Sequence, residues 1–82
     1  MLYVKDETAR FGAWMERTRK RAGLSMIDLE LRSGVRQYAL SLIARGLREP
    51  RISTVMRIVD GLGMRIVFVP KKPKNGDDGD DR

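Results

Sequence analysis

The chain has 82 residues, of which 17 are Lys or Arg and 11 are Asp or Glu, and it contains no cysteine and no histidine. This length predicts one small domain with a thin core, so burial against a second copy is expected to add stability. The missing Cys and His exclude disulfides, thiolate or imidazole metal sites, and nucleophile–base pairs that need either residue. We therefore expect no enzyme, no metal and no cofactor.

The positive charge is unevenly distributed along the chain. Positions 1–74 carry 16 basic and 7 acidic side chains, whereas positions 75–82 carry four Asp against Arg82. A basic domain favours phosphate-rich partners. The longest apolar run, Ile66 to Val69, is far shorter than a membrane span, and no signal-peptide pattern is present. We expect a cytoplasmic protein that binds nucleic acid and no membrane.

Two helices are predicted in the first 34 residues. The first begins at Asp6 or Thr8 and runs towards Gly23. The second begins at Ser25, where Asp28 three residues later resembles a capping box, and it ends at Ser33-Gly34. The residues expected to face the core are Phe11, Met15, Thr18 and Leu29.

A third helix follows after a tight glycine turn. It begins near Arg36 or Gln37 and ends at Gly46. Helical spacing separates its residues into two faces. The inward face comprises Val35, Ala39, Leu40 and Ile43, and the outward face comprises Gln37, Tyr38, Ser41, Leu42 and Arg45.

A fourth helix and a strand complete the ordered part. The helix ends at Gly61 or Gly63, and the β-branched and aromatic segment Met64–Val69 predicts a strand. This strand needs a partner, either Tyr3-Val4 or the same strand of a second copy. We expect one domain over 6–69 and a disordered charged tail over 70–82. The apolar stripe of the fourth helix is Ile52, Val55, Met56, Val59 and Leu62.

Several glycines and apolar positions, in register without gaps from about Phe11 to Met64, resemble the lambda-repressor-like helix-turn-helix family, also called the Cro or XRE class. The terminal strand resembles the HipB-type antitoxin branch of that family. The resemblance implies a mainly α fold of four to five helices with a C-terminal β-strand that pairs across a dimer. The residues that carry it are Arg19 to Ser25, Asp28-Leu29, Ser33-Gly34-Val35, Leu40, Ile43, Arg45-Gly46, Glu49-Pro50 and Ile58 to Gly63.

A helix placed by a tight turn can enter the DNA major groove with its N-terminal residues near the base edges. Gln37 suits the N6 and N7 edge of adenine, and Arg36 suits guanine or a neighbouring phosphate. The set expected to contact bases is Arg36, Gln37, Tyr38, Ser41 and Leu42. The set expected to contact phosphates is Arg19, Met26 through its backbone N–H, Arg45, Arg48 and Arg51, all but Arg45 on the strength of the resemblance.

Three departures from the family pattern affect these expectations, and one is that Leu42 occupies a position that is usually polar. Met26 stands where many members have Gln, and Ala44 stands where many have a Glu that pairs with the residue matching Arg19. Without that Glu, Arg19 is either available to phosphate or held by another acid. The dimerisation residues are expected to be Met64, Ile66, Val67, Phe68 and Val69.

The function expected is a sequence-specific, homodimeric DNA-binding regulator, a repressor of the phage or mobile-element type that binds a palindromic operator. The alternative is an antitoxin that neutralises a protein toxin and autoregulates its operon. Trp14 and the strand motivate this alternative, because an exposed Trp can anchor a partner.

Overall fold

Four helices make up the regular structure in residues 6–72, the part of the chain that the computed structural model describes. α1 packs on α3, and α2 packs on both α3 and α4. The architecture is mainly α, as predicted. The helix bounds are α1 Asp6–Arg21, α2 Met26–Ser33, α3 Gln37–Ala44 and α4 Ile52–Gly61.

The two ends of α2 are defined by local hydrogen bonds and by a glycine. At the start of α2, the Ser25 hydroxyl accepts from the Asp28 N–H at 3.0 Å, and the Asp28 carboxylate accepts from the Ser25 N–H at 2.8 Å. This confirms the predicted capping box, and the bond from the Ser25 backbone lowers the pKa of the Asp28 carboxyl. Gly34 ends α2 with a φ of 76°, a conformation that L side chains rarely adopt.

The core is assembled from apolar side chains of all four helices and of the turn before α3. The inward face predicted for α3 is confirmed at Val35, Leu40 and Ile43, and Ala39 is half-buried against them. On α1, Met15 is fully buried, while Phe11 and Thr18 are half-buried. The core cluster comprises Met15, Leu29, Val35, Leu40, Ile43, Ile58 and Leu62.

The stripe predicted for α4 is wrong at two positions. Ile52 and Met56 are exposed, and Ile58, which was not predicted, is fully buried. The reason lies in where α2 contacts α4. The Arg32 Nε donates to the Gly61 carbonyl at 2.6 Å, and a Cβ on Gly61 would lie 3.0 Å from the Ser33 Cβ. At this contact α2 packs against the end of α4, and the Ile58 row faces inward while the Ile52 row lies on the surface.

The predicted strand Met64–Val69 is not confirmed, because no strand is formed within residues 6–72. One predicted partner, Tyr3-Val4, lies outside the described residues. A strand requires backbone hydrogen bonds to a neighbour, so the pairing with a second copy stays a prediction. The tail predicted over 70–82 lies, from residue 73 onward, outside the described residues as well.

The crossing of α1 over α3 depends on a glycine inside α1. A Cβ built on Gly12 would collide with the carbonyl oxygen of Ile43 and would lie 2.9 Å from that of Ala44. Both atoms belong to the backbone, so neither can move aside cheaply. Gly12 therefore allows α1 to lie directly on the C-terminal end of α3.

We predict that Gly12→Ala lowers the free energy of unfolding by about 1 to 3 kcal/mol, because the new methyl group overpacks the crossing and outweighs its gain in helix propensity. Urea denaturation followed by circular dichroism measures this change. The matched control is Ala13→Gly at the next, exposed position, which reports propensity alone. A Gly12→Ala protein as stable as the wild type would contradict the close crossing.

Candidate nucleic-acid interface

The residues predicted to contact bases lie together on one side of α3. Gln37, Tyr38, Ser41 and Leu42 follow the helical spacing of a single face, opposite the buried Leu40 and Ile43. Gln37 and Tyr38 are exposed, while Ser41 and Leu42 are half-buried. Arg36 is exposed at the N-cap position of α3. The fold thus presents these side chains on one surface, which we call the outer face of α3.

The start of α3 is held by a residue from α2. The Glu30 Oε1 accepts a hydrogen bond from the backbone N–H of Gln37 at 3.2 Å. The Arg36 side chain makes no capping bond. Sequence reasoning assigned no role to Glu30, because its partner is defined only once the glycine turn brings α2 and α3 together.

Three arginines come after the residues of the outer face in the sequence. Arg45 stands at the C-cap of α3, Arg48 lies in the loop before α4, and Arg51 is the N-cap of α4. All three are exposed. The Arg48 guanidinium carbon lies 6.0 Å from the centroid of the Tyr38 ring, at the outer limit of a cation–π contact. This contact links the loop to the outer face of α3.

The backbone N–H of Met26 lies in the first turn of α2. The capping box engages the N–H groups of Ser25 and Asp28 and not that of Met26. A helix N-terminus favours anions, so the backbone geometry suits the predicted phosphate contact. The carboxylate of Asp28 lies in the same turn and adds negative charge there.

The Arg19 guanidinium is hydrogen-bonded to other groups of the protein. Its Nε and Nη2 donate to the two carboxylate oxygens of Glu16 at 3.0 and 2.8 Å, and its Nη1 donates to the Leu24 carbonyl at 2.7 Å. The side chain of Arg19 is only 12% exposed. Of the two predicted alternatives, the structure shows the second, in which another acid holds Arg19. The i, i+3 spacing of Glu16 and Arg19 was the signal in the sequence.

The Glu16–Arg19 pair changes the ionisation of both groups. Hydrogen bonds from Arg19 lower the pKa of the Glu16 carboxyl, and the same contact raises the pKa of the Arg19 guanidinium. Since Arg19 also binds the Leu24 carbonyl, the pair ties the end of α1 to the entry of α2. Arg19 thereby supports the position of α2 from within the fold.

Trp14 is half-buried against the core, with its ring centroid 5.7 Å from that of Phe11. The two rings line a hollow of about 410 Å³ on α1 together with Arg10 and Arg17. Trp14 is therefore partly packed within the domain and partly exposed at this hollow.

Residues 6–72 contain neither a membrane-spanning helix nor a cluster of metal ligands. No helix in this range has the length and apolarity of a membrane span. No grouping of carboxylate side chains there could hold a metal ion.

The chain belongs to the helix-turn-helix family, whose model matches residues 15–69. The chain is also 33% identical over 58 residues to an HTH-type transcriptional regulator of Haemophilus influenzae. That match covers 71% of this chain and 59% of the relative, so the chain spans well under two thirds of the relative's length. These similarities confirm the resemblance to the lambda-repressor-like class.

A solved structure shows the same fold. It is the restriction-modification controller protein C.AhdI from Aeromonas hydrophila, which matches with a TM-score of 0.71 and 21% sequence identity. The match covers 74% of this chain and 92% of that chain. At 21% sequence identity, this similarity shows a shared fold alone.

We predict that Glu16→Gln lowers the free energy of unfolding by about 1 kcal/mol at pH 7, because the charged partner of Arg19 is lost. The pKa of Glu16 is depressed below its ordinary value of 4.5, so its contribution is complete above that value and is lost as the pH falls through the depressed pKa.

Urea denaturation of both proteins between pH 7 and pH 3 measures this dependence. The difference between wild type and Glu16→Gln is expected to shrink as the pH falls below the ordinary value of 4.5. A difference that is equal at pH 3 and pH 7 would show that the ion pair contributes nothing.

Proposed function

We propose that this protein is a sequence-specific DNA-binding transcriptional regulator that acts as a repressor and binds its operator as a homodimer. The observation that carries the proposal is the outer face of α3. One side of α3 carries the side chains expected to contact bases, and the opposite side packs into the core. The membership of the helix-turn-helix family supports the same function.

In the proposed complex, α3 enters the major groove, which is about 12 Å wide. Gln37 and Arg36 lie at the N-terminal end and reach the base edges, where Gln pairs with adenine and Arg with guanine or a phosphate. Tyr38 offers its hydroxyl or its ring to the same bases. Ser41 lies one turn further on, and Leu42 supplies an apolar contact to a thymine methyl group.

Phosphate contacts orient the domain on the duplex. The exposed Arg45, Arg48 and Arg51 follow the base-contacting residues of α3 along the chain. The Met26 N–H lies at the start of α2. Contacts of this kind fix register without specifying sequence. Arg19 takes part chiefly by holding the start of α2, since three of its N–H groups already have protein acceptors.

A surface of exposed apolar residues supports the homodimer. Phe68 is 90% exposed, and Val67 and Val69 beside it are exposed as well. Met56 on α4 and Met64 and Ile66 of the following segment line one hollow of about 230 Å³. Extended apolar patches of this kind mark interaction sites. The dimerisation surface proposed here comprises the half-buried Ile66 and the exposed Ile52, Met56, Met64, Val67, Phe68 and Val69.

A twofold protein implies a twofold operator. Each copy places one α3 in a half-site, and the two half-sites lie about one helical turn apart. A dimer seated on a promoter in this way blocks access by polymerase, which is the simplest route to repression for a domain of this size.

We predict that selection of duplexes from a random library at about 150 mM salt enriches an inverted repeat with half-site centres about 10 base pairs apart. Gln37→Ala is expected to weaken binding to the enriched duplex by about five- to a hundredfold, because a bidentate contact to a base contributes about 1 to 3 kcal/mol. Affinities are measured by fluorescence anisotropy.

Arg10→Ala, on the exposed side of α1, is the control for that experiment and is expected to bind nearly as well as the wild type. Binding that shows no sequence enrichment and declines only with salt would contradict the proposed function.

We predict that Phe68→Asp converts the dimer to a monomer, because it places a charge in the proposed apolar interface. Sedimentation equilibrium measures the change. The matched control is Leu31→Asp on α2, since Leu31 is 78% exposed but lies outside the proposed dimerisation surface. An unchanged mass for Phe68→Asp, with the wild type dimeric, would exclude Phe68 from the interface.

A further inference from the structure

Glu30 accepts two hydrogen bonds, one at the end of α2 and one at the start of α3. Its backbone carbonyl accepts from the Gly34 N–H at 2.8 Å, which closes the end of α2. Its side-chain Oε1 accepts from the Gln37 N–H at 3.2 Å, which opens α3. The backbone bond is one that any residue could accept, so the side-chain bond to Gln37 is the contribution specific to Glu30.

The second bond replaces a missing cap. Helices leave their first N–H groups without intrahelical partners, and a Ser, Thr, Asp or Asn at the N-cap commonly accepts from one of them. α3 has Arg36 at that position, and its side chain makes no such bond. The Glu30 carboxylate performs this task from the neighbouring helix, where its negative charge also suits the helix dipole.

The same carboxylate changes what the N-terminus of α3 attracts. A free helix N-terminus binds anions, and the commonest anion along a duplex is phosphate. The Glu30 carboxylate already accepts from the Gln37 N–H, so a phosphate cannot bind that amide, whereas the capping box of α2 does not use the Met26 N–H. The adjacent Gln37 side chain is left to contact neutral base edges.

We propose that Glu30 determines specificity in DNA binding, by positioning the N-terminus of α3 and by keeping phosphate from the Gln37 N–H. This inference rests on the proposed function, because it assigns the role of a residue within the α3 interface. It predicts that the charge of Glu30 lowers non-specific binding while its hydrogen bond supports specific binding.

The test compares Glu30→Gln, which keeps an acceptor and removes the charge, with Glu30→Ala, which removes both. Affinities are measured at about 150 mM salt for the duplex enriched by the wild type and for a scrambled duplex of equal composition. Glu30→Gln is expected to bind the scrambled duplex about fivefold more tightly and the enriched duplex nearly unchanged. Glu30→Ala is expected to weaken binding to the enriched duplex by about tenfold, because the start of α3 is no longer fixed.

The matched control is Glu7→Gln, which removes the same charge from the exposed first turn of α1. α1 contacts the C-terminal end of α3, where Gly12 faces Ala44, whereas Glu30 lies at the N-terminal end of α3. The ratio of the two affinities is therefore expected to stay at the wild-type value. A ratio that is unchanged in Glu30→Gln would overturn the proposal.

A measurement without DNA separates this proposal from the proposed function. The amide resonance of Gln37 in a ¹⁵N–¹H correlation spectrum is expected to move strongly in Glu30→Ala and to move little in the neighbouring Leu31→Ala. An unmoved Gln37 amide would overturn the positioning role even if the wild type binds DNA specifically. If the amide moves as expected but no duplex is enriched, the proposed function fails while the capping contact stands.

Discussion

The geometry of this protein depends on the close crossing of α1 over the C-terminal end of α3. Gly12 lets the two backbones approach to a distance that no other residue would permit. The C-terminal end of α3 packs on α1 at Ala44, and Leu40 and Ile43 bury one side of α3 in the core. On the opposite side, within the described residues, Gln37 and Tyr38 are exposed and Ser41 and Leu42 are half-buried. That side carries the residues that we assign to DNA.

Positioning of α3 requires restraint at both ends. The crossing at Gly12 restrains the C-terminal end, and the Glu30 carboxylate with the Gly34 turn restrains the N-terminal end. Arg19 adds a third restraint further back, since it ties the end of α1 to the chain just before α2. A small domain with few core residues thus uses polar bonds at its turns to orient one helix, and such bonds are directional in a way that apolar packing is not.

Much of the fold follows from short-range patterns in the sequence. The pair Ser25 and Asp28 predicts the start of α2, and the spacing of Leu40 and Ile43 predicts which side of α3 is buried. The outward position of Gln37 follows from the same spacing. These features depend on residues within a few positions of one another, so the sequence contains the information needed to predict them.

The features that the sequence did not reveal depend on how elements meet in space. Two neighbouring apolar rows could face the inner side of α4, and the packing of α4 against the other helices buries Ile58 and leaves Met56 exposed. Glu30 lies seven residues before the amide that it caps, a separation set by the turn and not by any helical period. Gly12 was detectable in principle, since a glycine within a helical pattern indicates a close packing contact.

A titration of the ¹⁵N-labelled protein with the enriched duplex, followed by amide chemical shifts, shows directly whether the outer face of α3 is the DNA interface. We expect the largest changes on residues 36–42 and on the arginine-bearing segment 45–51, with small changes along α1. Changes concentrated on α1, with those of Gln37 and Tyr38 unmoved, would contradict this assignment of the interface.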